Sequence, residues 1–288
     1  MMKPSEWLSI RVVAPPPAWD AIAAVLIDSG CAGVELRDQP YSVVAYLPQS
    51  EQGRLPEIEA QIRRLPEYNL PSIHKFEVQP VTEQNWHTVW RRYFRSRRFG
   101  QRIRVQPSWS RHKPSPDEVL IQLDPGLAFG TGGHATTALC LELLEKYLLP
   151  GMRVADVGTG TGILAIAAAQ LGAQEVLAVD NDELAVKVAH GNIVRNGVAE
   201  RVRVQVGDGF NALEGVFDLI VCNIISGFLI ASAPQVPPRL RTGGVYLISG
   251  TSGRNWRGGV RRAIESAGLH LEEARKRRTW VAAVFRKG

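Results

Sequence analysis

The segment Val154-Ala155-Asp156-Val157-Gly158-Thr159-Gly160-Thr161-Gly162 constrains this chain more than any other. A short apolar run closes on an acid, three glycines follow at alternate positions, and Ile163 to Ala169 then supply an unbroken helix-forming stretch. Such glycines permit a tight turn and let a ligand approach the N-terminus of a helix closely. Dinucleotide sites space their glycines G-x-G-x-x-G, whereas here the third glycine is Gly162 and Ile163 stands at the dinucleotide position. That departure favours a cofactor without a pyrophosphate.

Downstream of Gly151, apolar strands alternate with helical patterns, the signature of a doubly wound α/β sheet. Strands are expected at 152–157, 175–180, 202–206, 217–223 and 244–249, followed by a pair near 269–274 and 279–285. In such sheets ligands bind beyond the carboxyl ends of the strands, at the switch point. Asp180, 22 residues beyond Gly158, closes the second of these strands and is placed to accept from ribose hydroxyls. The competing reading of Asp180 is a helix N-cap, because Asp180-Asn181-Asp182 precedes a helix. Asp208 follows the third strand, where a short acid can accept from an adenine amino group, and Asn223 ends the fourth. Asp156, at the end of the first, joins Gly158 and Gly160 among the cofactor contacts. Together these segments resemble the class I methyltransferase fold, which implies S-adenosylmethionine as cofactor.

Single cores stop growing near about 250–300 residues, so a chain of 288 is expected to divide. Residues 1–80 predict strands at 7–13, 32–37, 42–47 and 73–79 and helices at 18–29 and 51–65. This is the βαββαβ order of a ferredoxin-like α+β domain. Trp86, Trp90 and Phe94 recur along one helical face, predicting a connecting helix over 81–99 with Thr82 as its cap. The methyltransferase domain then spans 100–288.

The formal charge of +6 biases encounters toward anionic partners such as RNA, with arginine clusters at 91–98 and 275–278. A solvated basic face is the plainer explanation for such clusters. Three dispersed cysteines, without a C-x-x-C pair, suggest neither a disulfide framework nor a metal site. No stretch approaches the ~20 apolar residues of a membrane span, and a cytoplasmic location is expected.

Upstream of the glycine turn, Asp124-Pro125-Gly126-Leu127-Ala128-Phe129-Gly130-Thr131-Gly132-Gly133-His134-Ala135-Thr136-Thr137 opens a helix near Thr136. With the preceding RIRVQPSW at 102–109, this stretch closely resembles the ribosomal protein L11 methyltransferase family, whose pattern reads D-P-G-x-A-F-G-T-G-x-H-x-T-T. The resemblance implies that Thr137, Gly158, Asp180 and Asn223 contact S-adenosylmethionine and that Phe129 and Thr131 cover it. Gly133 and Ala135 depart from the threonine and proline usual in the family, which bears on substrate positioning. The resemblance also implies a ribosomal protein substrate, with the N-terminal domain docking it, while the basic clusters suggest a weak rRNA contact on grounds of charge. His134 is read as a loop-fixing hydrogen-bonding group in preference to a general base.

Methyl transfer from a sulfonium needs alignment and a free lone pair, not a protein nucleophile. Asn223 is the candidate catalytic residue, orienting an amine by accepting one N–H. Enzymes acting on planar amides or bases carry Pro-Pro-Tyr after this position; Ile224-Ile225-Ser226 offers no ring, which favours an aliphatic amine, α-amino or lysyl. An RNA methyltransferase and a non-catalytic ribosome-binding protein are the rival readings.

Overall fold

A computed structural model describes residues 7–38, 40–68, 70–81, 96–107, 109–110, 112–123 and 134–288. The chain divides into two compact units, Met1–Tyr93 and Phe94–Gly288.

In the first unit, β1 (Trp7–Val13), α1 (Trp19–Asp28), β2 (Ala32–Asp38), β3 (Tyr41–Pro48), α2 (Leu55–Arg63) and β4 (Lys75–Val81) follow one another. The sheet order is β2-β3-β1-β4, and every pairing is antiparallel. This is the expected ferredoxin-like topology. Alternate residues Leu8, Ile10 and Val12 of β1 are buried, and α1 meets them with Trp19, Ile22, Ala23 and Leu26 at helical spacing. Ile58 and Ile62 of α2 complete the layer, each full burial contributing about 1.5–3 kcal/mol. The helix expected at 51–65 is preceded by a tighter 3-10 turn at Gln49–Arg54, and Leu55–Arg63 alone is α-helical.

The expected connecting helix over 81–99 needs correction at both ends. Val81 belongs to β4, and β5 (Arg97–Phe99) is a strand. The remainder of that segment, with Thr82 and the aromatic stripe, lies outside the described residues. β5 pairs antiparallel with β6 (Ile103–Gln106), which pairs parallel with β7 (Val119–Gln122). Glu145 fixes the β5–β6 turn by accepting from the backbone N–H groups of Gln101 and Arg102 at 2.7 and 2.6 Å.

Besides these three short strands, the second unit has a main sheet of seven: β8 (Arg153–Val157), β9 (Glu175–Asp180), β10 (Val202–Val206), β11 (Phe217–Asn223), β12 (Leu240–Ser252), β13 (Leu269–Arg277) and β14 (Trp280–Lys287). Their order is β10-β9-β8-β11-β12-β14-β13. The first five run parallel, and β14 is antiparallel to both neighbours. α3 (Ala135–Tyr147), α4 (Ile163–Gln170) and α5 (Glu183–Arg195) contribute to one apolar layer; α6 (Ser226–Ser232) and α7 (Arg261–Ser266) contribute to the other. The period-two geometry of a strand sorts the core: Leu219 and Val221 of β11 enter the first layer, Ile220 and Cys222 the second. The chain passes outward from β8 to β10 and then returns to β11 beside β8, so the switch point lies between β8 and β11. Among the described residues no helix is long and apolar enough to cross a membrane, and no group of His, Cys, Asp or Glu is arranged to hold a metal.

Candidate active site

At the carboxyl end of β8, Gly158, Gly160 and Gly162 all take left-handed angles, with φ of 72°, 56° and 81°. Any Cβ there would be strained. The turn is tied to β9: the N–H groups of Gly158 and Thr159 donate to the Val179 carbonyl at 2.9 and 3.0 Å. The Gly160 N–H donates to Oδ2 of Asp180 at 2.8 Å, and the Asp182 N–H donates to Oδ1 at 3.1 Å. A carboxylate offers about four acceptor sites, so Asp180, half-buried at the strand end, keeps capacity for ligand hydroxyls. The N-cap of α5 is Asp182, whose Oδ1 accepts from the Leu184 N–H at 2.9 Å, so Asp180 is not the cap.

Asp156 lies wholly buried beneath the turn. Its Oδ2 accepts from the Thr159 hydroxyl at 2.7 Å and the Ala165 N–H at 3.0 Å, while Oδ1 has no partner among the described residues. Burial pushes this carboxyl up to about 7, against the two hydrogen bonds that favour its charged form. Gly162 allows α4 to approach α5, since a Cβ there would lie 3.2 Å from that of Ala189.

Across the switch point, Asn223 ends β11. Its Nδ2 donates to Oγ1 of Thr137 at 3.4 Å, in the buried first turn of α3. Its Oδ1 is buried and has no partner among the described residues. His134 caps α3, accepting from the Thr136 N–H at 3.4 Å, with Nδ1 2.7 Å from the Thr136 hydroxyl. The imidazole thus caps the helix, and the glycine-rich segment before it lies outside the described residues. A Cβ on Gly158 would lie 2.6 Å from Cγ1 of Ile224, and one on Gly250 (φ 83°) would lie 2.6 Å from the Ile224 carbonyl carbon. Ile224 is therefore clamped between two glycines, which fixes the chain just after Asn223.

The structure thus gathers Thr137, Asp156, Gly158, Gly160, Asp180 and Asn223 at the carboxyl ends of β8, β9 and β11. Asp208 follows β10 as an exposed side chain whose Oδ2 accepts from Asn211 Nδ2 at 3.3 Å. Phe129, Thr131 and Gly133 lie outside the described residues. The sequence reading missed the bridge in which the Asn255 amide donates to the Ser226 hydroxyl at 3.2 Å and Ser226 donates to Thr251 at 3.0 Å. It also missed the role of Gly250, although a glycine inside the apolar run VYLISG signals close backbone approach.

The family model for ribosomal protein L11 methyltransferase matches residues 6–288. A ribosomal protein L11 methyltransferase of Pelotomaculum thermopropionicum is 40% identical, over 98% of this chain and 99% of its own. Another, from Exiguobacterium sp., is 39% identical over 85% of this chain and 79% of its own. The crystal structure of a ribosomal protein L11 methylase from Lactobacillus delbrueckii subsp. bulgaricus is similar, with a TM-score of 0.64 and 32% identity. It is covered in full by 68% of this chain. A glycine turn joined to Asp180, an asparagine at the switch point and a match along nearly the whole chain agree: this chain belongs to the ribosomal protein L11 methyltransferase family of S-adenosylmethionine-dependent enzymes.

Proposed function

We propose that this chain methylates amino groups of ribosomal protein L11, an α-amine, a lysine or both, in the cytoplasm. In this reading residues 1–80 dock the substrate, residues 100–288 carry the chemistry, and rRNA contacts the basic clusters. The observation that carries it is the buried Oδ1 of Asn223, which has no partner among the described residues. An acceptor left so costs about 1–3 kcal/mol unless a donor arrives, and an incoming amine supplies one.

S-adenosylmethionine, when bound, supplies a methyl group on an activated sulfonium. The residues present fit it: left-handed Gly158 and Gly160 leave room for close approach, and Asp180 has acceptor sites to spare for ribose hydroxyls. Thr137, Asp208, Phe129 and Thr131 complete the contacts in this reading, while Asp156 acts from beneath by holding the turn. Asn223 accepts one N–H of the amine, and its bond to Thr137 fixes the amide so that the amine lone pair is aimed. The amine must arrive neutral. An α-amine near 7.7–8.0 does so readily, whereas a lysine near 10.4 needs roughly 4 kcal/mol at pH 7.5. The aliphatic Ile224 and Ile225 after Asn223 support an aliphatic amine over a planar amide or base.

The test is incubation with labelled S-adenosylmethionine and either free L11 or whole large subunits, with the label located by mass spectrometry. Label on L11 amines is expected; label confined to RNA would overturn the reading.

A further inference from the structure

The basic run at 275–278 is not used by the chemistry above, and the register of the sheet places it. Asn223 of β11 lies opposite Ser249 of β12, and Ser252, three residues further along, lies opposite Trp280 of β14. Trp280 in turn faces Arg277 of β13. The β13–β14 turn therefore stands about 10 Å beyond the level of Asn223, on the edge of the sheet where the switch point opens. The segment leaving β12 begins at the same edge, and its Gly253 N–H donates to the Thr279 carbonyl at 2.7 Å.

Charge is sorted along this edge. On one side of β13, Arg275 is engaged by Glu273 at 2.7 Å and Arg277 by Glu142 at 2.8 Å. Lys276, which alternates with them, Arg278 in the turn, and Arg254 and Arg257 after β12 are exposed and have no acidic partner among the described residues. The acids at the strand ends, Asp180, Asp182 and Asp208, follow β9 and β10 on the opposite half of the sheet. Arg278 also has φ 55°, the one non-glycine in the left-handed region among the described residues. Holding a long side chain there costs about 1–2 kcal/mol, so a guanidinium is kept where the backbone favours glycine.

We propose that this rim holds the phosphate backbone of RNA alongside the protein substrate. The inference rests on the reading above, because a ribosomal protein is the kind of substrate that brings RNA with it. Clustered, unneutralised arginine and lysine suit phosphate oxygens, which guanidinium groups bind in bidentate fashion.

The experiment titrates the full chain against a fluorescein-labelled mixed-sequence RNA hairpin, by anisotropy, between about 50 and 200 mM salt. Wild type is compared with Lys276→Ala/Arg278→Gly; the second change relieves the backbone, so the melting temperature checks that the variant folds. The variant is expected to bind RNA at least tenfold more weakly, with a salt slope lower by about 0.7–0.9 per lost phosphate contact. Its methylation of free L11 without RNA should equal that of wild type. RNA affinity and slope unchanged in the variant would overturn the proposal. So would tighter binding of a polyglutamate peptide than of RNA, which would assign the rim to an acidic protein segment. Failure of wild type to methylate L11, with the RNA slope still dependent on Lys276 and Arg278, would count against the activity and leave the RNA surface standing.

Discussion

The backbone N–H of Gly160 donates to Oδ2 of Asp180, so the glycine turn after β8 and the acid ending β9 form one hydrogen-bonded unit. Asp180→Ala removes the proposed ribose acceptor and this anchor together. Calorimetry should show S-adenosylmethionine and its demethylated product weakened by roughly 1.5–3 kcal/mol, the worth of hydrogen bonds to a charged group. Unchanged affinity would remove Asp180 from the cofactor site.

Asn223→Ala should act differently. Its amide is assigned to aligning the amine, so kcat should fall at least tenfold while cofactor affinity changes little. Thr137→Val, which removes the acceptor for Nδ2, should reproduce part of that loss in a folded protein. Steady-state kinetics beside cofactor titration separates the two effects, and full turnover of Asn223→Ala would refute the assignment.

Asp156 sets a pH dependence of stability. Its folded value, about 7, lies above the ~3.9 of an unfolded aspartate. The folded state therefore binds the proton more tightly. This group favours folding most below about pH 4, and its contribution falls as pH rises toward 7 by up to about 4 kcal/mol. Asp156→Asn should flatten that slope, so its melting temperature gains on wild type between pH 5 and 8. A constant difference across that range would show that Asp156 is already ionised.

Gly250→Ala tests the clamp on Ile224. The added methyl meets the Ile224 backbone, which cannot swing aside as a side chain tip can, and φ of 83° strains any L-residue. Destabilisation of about 2 kcal/mol or more is expected, read as a lower melting temperature. Unaltered stability would mean that the strand ends shift freely.

A chain beginning at residue 95 keeps β5 and all six gathered site residues. It should bind S-adenosylmethionine nearly as the full chain does yet lose most activity on L11, because docking by the N-terminal unit raises the local concentration of the amine. Cofactor affinity and methyl incorporation at matched concentrations decide the matter. Full activity would strip the N-terminal unit of its proposed role.

Much of this was legible from local pattern. The glycine spacing and the alternation of strands and helices located the seven-stranded sheet, and the carboxyl-end rule placed Gly158, Asp180 and Asn223. Distant pairings were not legible. β5, β6 and β7 have only three or four residues each, too few for periodicity to speak, and Glu145 fixes their first turn from 43 or more positions away. The Thr137–Asn223 bond spans 86 positions. Whether Asp180 or Asp182 caps α5 depends on side-chain geometry that spacing leaves open. β12 outruns its expected 244–249 at both ends, because β11 and β14 give it partners beyond its apolar centre.

The place of β14 bears on the order of synthesis. It follows every other strand in the chain yet lies inside the sheet, between β12 and β13. Until residues 280–287 leave the ribosome, β12 keeps an open flank, and β13 has no strand to pair with. The strands that carry the glycine turn, Asp180 and Asn223, β8 to β11, are complete well before then, so a nascent chain can assemble that turn while three of the seven strands still wait. Unpaired flanks are where chains join their neighbours wrongly. Synthesis that stalls within the last strand would thus yield a methyltransferase prone to self-association, not one that has merely lost a few residues.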